Sequence, residues 1–261
     1  MKVITNAVMT CSYDDSAELE GALARLSSVV RDNPWVLAPF QDRDERAGRV
    51  LAAAGFELYA TVKGTTLFYD AAPDCFFKIL HPLNLKKKMR FLLVHRARQI
   101  HDTVEYLISR GVKVLPVRAY GMFTQGRLPF FAVKKAEGAS LYDILIRRGG
   151  ELSPDMERCV MDELVKLHRL GYWLGDAHLA HIFITEQGIS GFIDMDGIRK
   201  NRPWSVRNLA RDLAGLNHPR LPLTGDEKKG LLEYYSENMK IEDRKNFLRQ
   251  VKHFTERRWK D

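Results

Sequence analysis

The chain has 261 residues, 45% of them hydrophobic and 10% aromatic, which supports a globular core in one large domain or in two lobes. Its formal net charge of +8 indicates an anionic partner: nucleotide phosphates, an anionic lipid surface, a sugar phosphate or nucleic acid. Three cysteines without a close pair exclude a disulfide framework and fit a reducing compartment. No stretch approaches the ~18 uninterrupted apolar residues of a membrane helix, and the N-terminus lacks signal-peptide features, so we expect a cytoplasmic protein.

Residues 1–55 are predicted to form a helical extension. Residues 16–30 carry apolar side chains at helical spacing behind an Asp-Asp-Ser cap. Residues 42–54 predict a second helix, which Gly55 ends. We expect this extension to pack on the small lobe that follows. A role in binding a partner is the alternative, and no sequence feature supports it.

Three strands are predicted between residues 56 and 80, in the order 56–62, 65–69 and 75–80. Lys63-Gly64 is a turn signal between the first two strands. Lys78 lies among apolar neighbours in the third strand, where a lysine is unfavourable unless it is paired. The alternative is an ordinary exposed strand lysine.

A basic segment, residues 86–98, leads into a helix that we expect to continue through residues 99–110 and to end at Gly111. Its charges predict either a solvated helix face or contact with anionic lipid or with an acidic sugar acceptor. The basic net charge of the chain leaves these alternatives open.

Two further strands are predicted at residues 112–117 and 128–133, with Gly121-Met122 in the connection between them. Ser140 is predicted to cap the next helix, which marks the boundary between lobes. We therefore divide the chain into the extension 1–55, a small β-rich lobe 56–136 and a helical lobe 137–261.

The most informative stretch is residues 170–199. A strongly periodic helix, residues 154–170, leads into it; His168 lies on the apolar face of that helix and is predicted to be a satisfied core histidine. Two short apolar runs around a Gly-containing turn predict a β-hairpin, 181–184 and 190–193. The hairpin would bring its ends together, and those ends carry acidic and imidazole side chains: Asp176, His178, His181, Asp194 and Asp196. The alternative is a buried hairpin with solvated charges.

The segment Gly175-Asp176-x-His178-x-x-His181 resembles the catalytic loop of the protein-kinase-like small-molecule and lipopolysaccharide kinases, whose common form is H-G/R-D-x-H-x-x-N. Ile193-Asp194-Met195-Asp196 resembles their metal-binding I-D-F-D motif. Leu174 stands where a histidine is frequent, and His181 stands where the family has its metal-binding asparagine. The likeness extends over residues 56–235.

This resemblance implies roles for individual residues. Asp176 would be the catalytic aspartate, and His178, which matches the family's histidine after that aspartate, would be the second catalytic residue. The metal ligands would be Asp194, His181 and Asp196. The nucleotide-binding groups would be Lys78, Lys63, Gly64 and the backbone around Val133 and Lys135. Asn208 or Asp212 would brace the catalytic loop.

We therefore expect an α+β, two-lobed protein-kinase-like fold with an N-terminal helical extension. The expected activity is ATP-dependent phosphorylation of a hydroxyl, with a sugar of the lipopolysaccharide core as acceptor, at the inner face of the inner membrane. The expected cofactors are ATP and Mg, with Mn as an alternative because an imidazole at 181 suits it better. The expected partners are a nucleotide, a glycolipid or other hydroxyl acceptor, and an anionic membrane.

Two other hypotheses stay open. A pseudokinase or nucleotide-binding regulatory protein is favoured by His181, by the single glycine at Gly64 and by the absence of a glutamate near Ile100, where the family pairs one with the strand lysine. A kinase of another small molecule or of protein is the second. A nucleic-acid binder is not expected, because the chain has neither an RNA-binding motif nor a zinc finger.

Overall fold

A computed structural model describes residues 1–38, 45–62 and 64–260 of the chain. The fold divides into two compact units. The first comprises Met1–Glu105 and Pro116–Lys135, and the second comprises Tyr106–Leu115 and Ala136–Asp261. Within the described ranges, none of the helices has both the length and the apolar character needed to span a bilayer.

The first unit is built on one antiparallel sheet, which has seven strands among the described residues in the order β1-β2-β6-β7-β5-β4-β3. The elements are β1 (Lys2–Thr5), β2 (Met9–Tyr13), α1 (Ala17–Asp32), α2 (Glu45–Ala53), β3 (Phe56–Val62), β4 (Thr65–Asp70), β5 (Cys75–Leu80), α3 (Leu85–Leu93), α4 (Arg96–Ser109, whose last four residues belong to the second unit), β6 (Val117–Phe123) and β7 (Leu128–Lys134). The three strands predicted between residues 56 and 80 are therefore confirmed.

The N-terminal residues contain two strands that the sequence analysis did not predict. β2 pairs with β6 along five residues, and β1 adds a further strand outside it. The predicted helix at residues 16–30 is confirmed as α1, which begins where Ser16 Oγ accepts a hydrogen bond from the N–H of Leu19. The extension is thus a mixed element whose strands lengthen the sheet. Its short strands alternate only over four or five residues, too few to stand out from a loop.

The strand predicted at residues 112–117 is wrong in its position, because the strand that forms is β6, Val117–Phe123. Gly121 lies inside this strand and not in a turn. A Cβ at Gly121 would stand 2.5 Å from the carbonyl oxygen of Thr10 and 2.8 Å from the ring of Phe130. Glycine is required there by close approach of a neighbouring strand and ring, and not by backbone conformation.

The two faces of the sheet have different roles. One face carries buried aromatic side chains, such as Phe68 and Phe77, and packs against α1 and its surroundings in a continuous apolar core. Lys78 points to the other face, because side chains alternate along a strand. Its cross-strand partners are Leu67 and Phe131. The N-terminal extension therefore covers the face opposite Lys78.

The helix expected to run unbroken from the basic segment to Arg110 is divided into α3 and α4. The break lies at His95, whose Nδ1 accepts a hydrogen bond from the N–H of Arg98 and whose carbonyl accepts one from Gln99. A side chain that accepts from the N–H three residues later caps a new helix. His95 therefore ends the basic helix and starts α4.

The second unit is mainly helical. Its elements are β8 (Ala139–Ser140), α5 (Pro154–Arg169), β9 (Tyr172–Trp173), β10 (Ile182–Thr185), β11 (Gly188–Phe192), β12 (Arg199–Lys200), α6 (Val206–Leu216), α7 (Gly225–Asn238) and α8 (Arg244–Arg258). Ser140 caps as predicted, accepting from the N–H of Asp143, but the helix that follows is a five-residue π turn, Asp143–Arg147.

The predicted hairpin is confirmed. β10 and β11 pair antiparallel, with Ile182 opposite Phe192 and Thr185 opposite Gly188. Ile182 and Phe192 are fully buried, which anchors the hairpin in the core of this unit. Because Ile182 begins β10 and Phe192 ends β11, the segment before β10, with Asp176, and the segment after β11, with Asp194, adjoin the same end of the hairpin.

Candidate active site

Asp212 on α6 holds the segment that precedes Asp176. Its carboxylate accepts hydrogen bonds from the N–H of Leu174 at 2.5 Å and of Gly175 at 3.2 Å. The same carboxylate lies 3.1 Å from His168 Nε2, and Asp212 is 1% exposed. Such a buried carboxylate with several donors fixes the backbone that it binds. Of the two predicted bracing residues, Asp212 is the one that makes these contacts.

His168 is the satisfied core histidine that the sequence predicted. Its Nδ1 lies 2.5 Å from the hydroxyl of Tyr235, and its Nε2 contacts Asp212. Burial raises the pKa of Tyr235 well above its usual value, and the Asp212 charge adds to the rise. The hydroxyl therefore stays protonated as a donor to the ring.

His181 joins the two acidic motifs. Its ring Nδ1 lies 3.1 Å from the carbonyl oxygen of Asp176, and its own carbonyl accepts the N–H of Ile193 at 2.9 Å. Because Ile193 precedes Asp194, the backbones that carry both acidic residues are linked through this one residue. Two motifs that are 18 positions apart in sequence thus meet at the mouth of the hairpin.

Asp194 adopts a left-handed backbone conformation, with φ 66° and ψ 48°. A non-glycine residue in this region carries strain, which frequently accompanies function. The turn that follows is closed by the N–H of Gly197, which donates to the Asp194 carbonyl at 2.9 Å. A Cβ at Gly175 would stand 2.5 Å from the Gly197 carbonyl oxygen, so the two loops are in direct contact.

His178 supports the loop from inside. Its Nδ1 accepts the N–H of Ala180 at 3.1 Å, so the neutral ring carries its proton on Nε2. Burial lowers the pKa of His178, and the neighbouring His181 and Arg258 lower it further. The ring also packs beside Tyr142. These contacts hold the His178 ring in place within the loop, and its expected catalytic role stays a prediction.

The C-terminal helix supplies two residues that the sequence analysis missed. Arg258 Nη2 lies 2.8 Å from Asp176 Oδ1. Trp259 packs against His178 and His218, and its indole N–H donates to the carbonyl of Ala214 at 3.1 Å. The sequence shows two arginines followed by a tryptophan at the end of a basic helix. Nothing in the sequence indicated that Arg258 would contact Asp176.

The residues expected to bind metal have a suitable set of donors. A carbonyl oxygen accepts only, so the ring nitrogen of His181 that faces Asp176 carries the proton and Nε2 keeps a lone pair for a cation. Asp194 and Asp196 offer carboxylates. Within the described part of the chain, three or more His, Cys, Asp or Glu side chains do not gather as a ligand cluster. The geometry therefore does not define a complete metal site.

The predicted nucleotide-binding residues lie in the first unit. Lys78 is half-buried in β5, and Gly64 follows β3 with its carbonyl accepting the N–H of His81. Lys63 lies outside the described residues. Val133 is paired on both sides in β7, and the N–H of Lys135 donates to the Asp74 carbonyl at 2.9 Å. That N–H is therefore already engaged in this structure, and an adenine contact by this stretch stays a prediction.

A cavity of about 350 Å³ lies among α5, α6 and α7 of the second unit. Its lining is largely aliphatic and does not include Asp176 or Asp194. Burial raises the pKa of Glu157 at its edge, and Glu227 adds to the rise. An apolar cavity with acidic edges does not suit phosphate groups, so the candidate active site is the loop cluster around His181.

No family model matches the sequence, and no curated protein matches it significantly. Among solved structures, WbdD in complex with the kinase inhibitor LY294002 aligns with a TM-score of 0.50 and 14% identity, covering 77% of this chain and 46% of that one. Monomeric WbdD aligns with a TM-score of 0.50 and 16% identity, covering 73% and 45%. A medium-resolution structure of the bifunctional kinase-methyltransferase WbdD gives 0.48 and 15%, covering 74% and 43%.

The two alignments with a TM-score of 0.50 show the fold. The chain has an α+β, kinase-like architecture of two units, as the sequence predicted. It spans less than half the length of the WbdD structures that it matches. At this identity the comparison does not extend to acceptor or cofactor.

Proposed function

We propose that this protein is an ATP-dependent phosphotransferase that moves the γ-phosphoryl group of ATP to a hydroxyl. The observation that carries the proposal is the linkage through His181, which holds the backbones of Asp176 and Asp194 together. Phosphoryl transfer depends mainly on positioning and on electrostatic stabilisation. A cluster of two acidic loops braced by a buried Asp212 supplies positioning, and the kinase-like fold supports the same conclusion.

In the proposed reaction, Asp176 orients the acceptor hydroxyl and takes its proton as the bond from oxygen to the γ-phosphorus forms. The bond from that phosphorus to the β,γ-bridging oxygen breaks, and ADP leaves. Lys78 is assigned to the α- and β-phosphates, and the backbone at Gly64 to the phosphate-covering turn. Asp176 suits its role because its side chain is 65% exposed and open to an incoming acceptor.

A divalent metal is assigned to Asp194; His181 Nε2 and Asp196 are the further candidate ligands, although among the described residues the three side chains do not gather as a ligand cluster. When bound, the metal neutralises charge on the phosphates. His181 offers a nitrogen donor, which ranks Mn above Mg more strongly than an oxygen donor does. Its hydrogen bond to the Asp176 carbonyl fixes the ring orientation for this purpose.

The proposed acceptor is a sugar hydroxyl of a lipopolysaccharide core, because the motifs around Asp176 and Asp194 resemble kinases of that class. The segment after the metal motif fits a sugar acceptor that carries acidic groups. Arg199 and Lys200 are exposed, and Trp204 is 53% exposed. A segment with an exposed indole and exposed cations offers both an apolar face for a sugar ring and positive charge for its anionic substituents.

A pseudokinase is the second candidate, favoured by the contact between Arg258 and Asp176. A cation paired with the catalytic aspartate withholds one carboxylate oxygen from an acceptor. In this case the protein would bind nucleotide without turnover, and its loops would serve a regulatory partner.

The experiment that separates the two is ATP turnover with Mg or with Mn, with and without a panel of core-sugar acceptors. ADP release is measured together with the mass of the acceptor, which gains one phosphoryl group if transfer occurs. We expect acceptor-dependent turnover that is faster with Mn, and we expect His181→Asn to shift the preference towards Mg. ATP binding without turnover in every combination would favour the pseudokinase.

A further inference from the structure

Apolar side chains cluster on the surface around the start of α3. Leu83, Leu85 and Met89 are 43%, 74% and 50% exposed. They are three of the nine large hydrophobic side chains that are exposed in the described part of the chain, and they fall within seven residues. Isolated exposed leucines are ordinary, but a local group of this kind marks an interaction surface.

The surrounding sequence is exclusively basic. The 27 residues between Asp74 and Asp102 include no acidic side chain. They include seven lysines and arginines: Lys78, Lys86, Lys87, Lys88, Arg90, Arg96 and Arg98. Lys86 and Lys88 are exposed. At 100° per residue, they flank the helix side that Leu85 and Met89 share. The surface thus combines an apolar stripe with cations on both sides.

We propose that residues 83–89, here termed the docking segment, bind the surface of an anionic lipid bilayer. Leu85 and Met89 would enter the boundary between headgroups and acyl chains, while Lys86 and Lys88 contact anionic headgroups. Helices with an aliphatic stripe bordered by lysines lie in the interfacial plane in this manner. The complementary charge of the bilayer identifies the occupant, because the segment has no acidic residue of its own.

Two observations favour lipid over nucleic acid. Nucleic-acid surfaces pair cations with aromatic rings that stack on bases, whereas the exposed apolar side chains here are aliphatic. Leucine and methionine also have no hydrogen-bonding group for a base or a sugar. Their exposure is explained by a partner that offers hydrocarbon.

The docking segment adjoins the turn at Gly64. A Cβ at Gly64 would stand 3.4 Å from Leu83 Cδ2, and the N–H of His81 donates to the Gly64 carbonyl at 2.9 Å. Contact with a bilayer would therefore take place next to the turn that is proposed to cover the phosphates. The binding itself does not depend on that assignment.

The test is flotation of the full chain with vesicles of phosphatidylcholine alone or with 30% phosphatidylglycerol, at low and at high salt. We expect binding to the anionic vesicles only, weakened at high salt because screening shortens the reach of the charges. In the double variant Lys86→Gln/Lys88→Gln, the affinity should fall about 25-fold, from about five-fold for each lysine, which corresponds to ~1 kcal/mol each. The matched control Lys229→Gln/Lys245→Gln, with two exposed lysines on α7 and α8, should bind nearly as the parent does.

The apolar part is tested by Leu85→Ser/Met89→Ser, with circular dichroism to confirm that each variant is folded. This variant should lose most of its binding at both salt concentrations. Absence of binding to anionic vesicles at low salt overturns the proposal. Vesicle binding that is unchanged in Leu85→Ser/Met89→Ser also overturns it. Preferential binding to duplex RNA in a competition experiment does the same, because either result would assign the segment to phosphate contacts alone.

Discussion

Arg258, at the end of α8, forms an ion pair with Asp176, with 2.8 Å between Nη2 and Oδ1. The side chain of Asp176 is 65% exposed and that of Arg258 is 30% exposed. Solvent screens such a pair, and exposed ion pairs contribute at most about 1 kcal/mol to stability. In the proposed reaction, an acceptor hydroxyl would therefore displace Arg258 from the carboxylate at low cost.

Replacement of Arg258 tests whether this pair restrains transfer. In Arg258→Ala, both oxygens of Asp176 become available to the acceptor, and the rate of phosphoryl transfer should rise up to about five-fold, the equivalent of ~1 kcal/mol. The stability should change by less than about 1 kcal/mol. Transfer is measured by ADP release at saturating ATP.

Arg257→Ala is the matched control, because it removes the same charge from the adjacent exposed position. It should leave the rate unchanged. If the rate of phosphoryl transfer in Arg258→Ala instead falls to background while the control is normal, the arginine is needed to hold Asp176 in place. That result would disprove the idea that the ion pair restrains transfer.

Asp212 is expected to couple stability to activity. In Asp212→Asn, an amide replaces a buried carboxylate that accepts from the N–H groups of Leu174 and Gly175 and contacts His168. The amide places donors against donors, so we expect a loss of about 3 kcal/mol in the free energy of unfolding and severe loss of turnover. Denaturant titration and ADP release measure the two effects.

Asp226→Asn serves as the comparison, since Asp226 is exposed in the first turn of α7. It should cost less than about 1 kcal/mol. Equal stability of the two variants would show that the contacts of Asp212 do not brace the loop.

Lys78 is expected to contribute to ATP binding. Loss of a charge-assisted hydrogen bond of roughly 1.5–3 kcal/mol predicts that Lys78→Ala weakens ATP binding about 10- to 100-fold. Calorimetry with Mg and ATP measures this, with the exposed Lys229→Ala as control. Unaltered affinity would remove Lys78 from the nucleotide site.

Because of His81, we expect the free energy of unfolding to decrease in acid. It is 3% exposed, its Nε2 lies 2.9 Å from Thr66 Oγ1, and burial lowers its pKa from 6.5. The unfolded chain binds a proton near pH 6.5, whereas the folded chain binds one only at lower pH. The neutral His81 therefore makes its full contribution to the free energy of unfolding above pH 6.5. This contribution is lost as the pH falls below 6.5.

His81→Gln keeps a hydrogen-bonding side chain but does not titrate. We expect the loss of melting temperature between pH 7 and pH 5 to be smaller in this variant than in the parent. Other histidines with lowered pKa, such as His95 and His218, will preserve part of the loss. The exposed His253→Gln should behave as the parent; equal pH dependence in all three proteins would contradict the assignment.

Local signals in the sequence were sufficient to predict the hairpin that carries the candidate site. The apolar runs of β10 and β11 and the intervening turn are contiguous, so the positions of Asp176 and Asp194 at its mouth followed from local pattern alone. The bracing role of Asp212 was reached only through the family resemblance, with Asn208 as the alternative. In the structure Asn208 donates to Asn201 instead.

The contacts that the sequence did not reveal are long-range. Arg258 lies 82 positions from Asp176, and no periodicity or spacing connects a residue at the end of one helix to a distant loop. Likewise, the strand containing Gly121 was misplaced because glycine is a turn signal in the local sequence. In the structure, a glycine is needed at this position because Thr10 and Phe130 leave no room for a side chain. Tertiary packing decided both cases.

The proposed active site is tested most directly by the rate of acceptor phosphorylation in Asp176→Asn, measured beside Asp226→Asn and with ATP affinity determined in parallel. We predict that Asp176→Asn loses at least about 100-fold in rate, the lower end of what a positioned base contributes, while ATP affinity and fold are retained. Asp226→Asn should match the parent. A rate in Asp176→Asn equal to that of the parent would contradict the assignment of the active site to this loop.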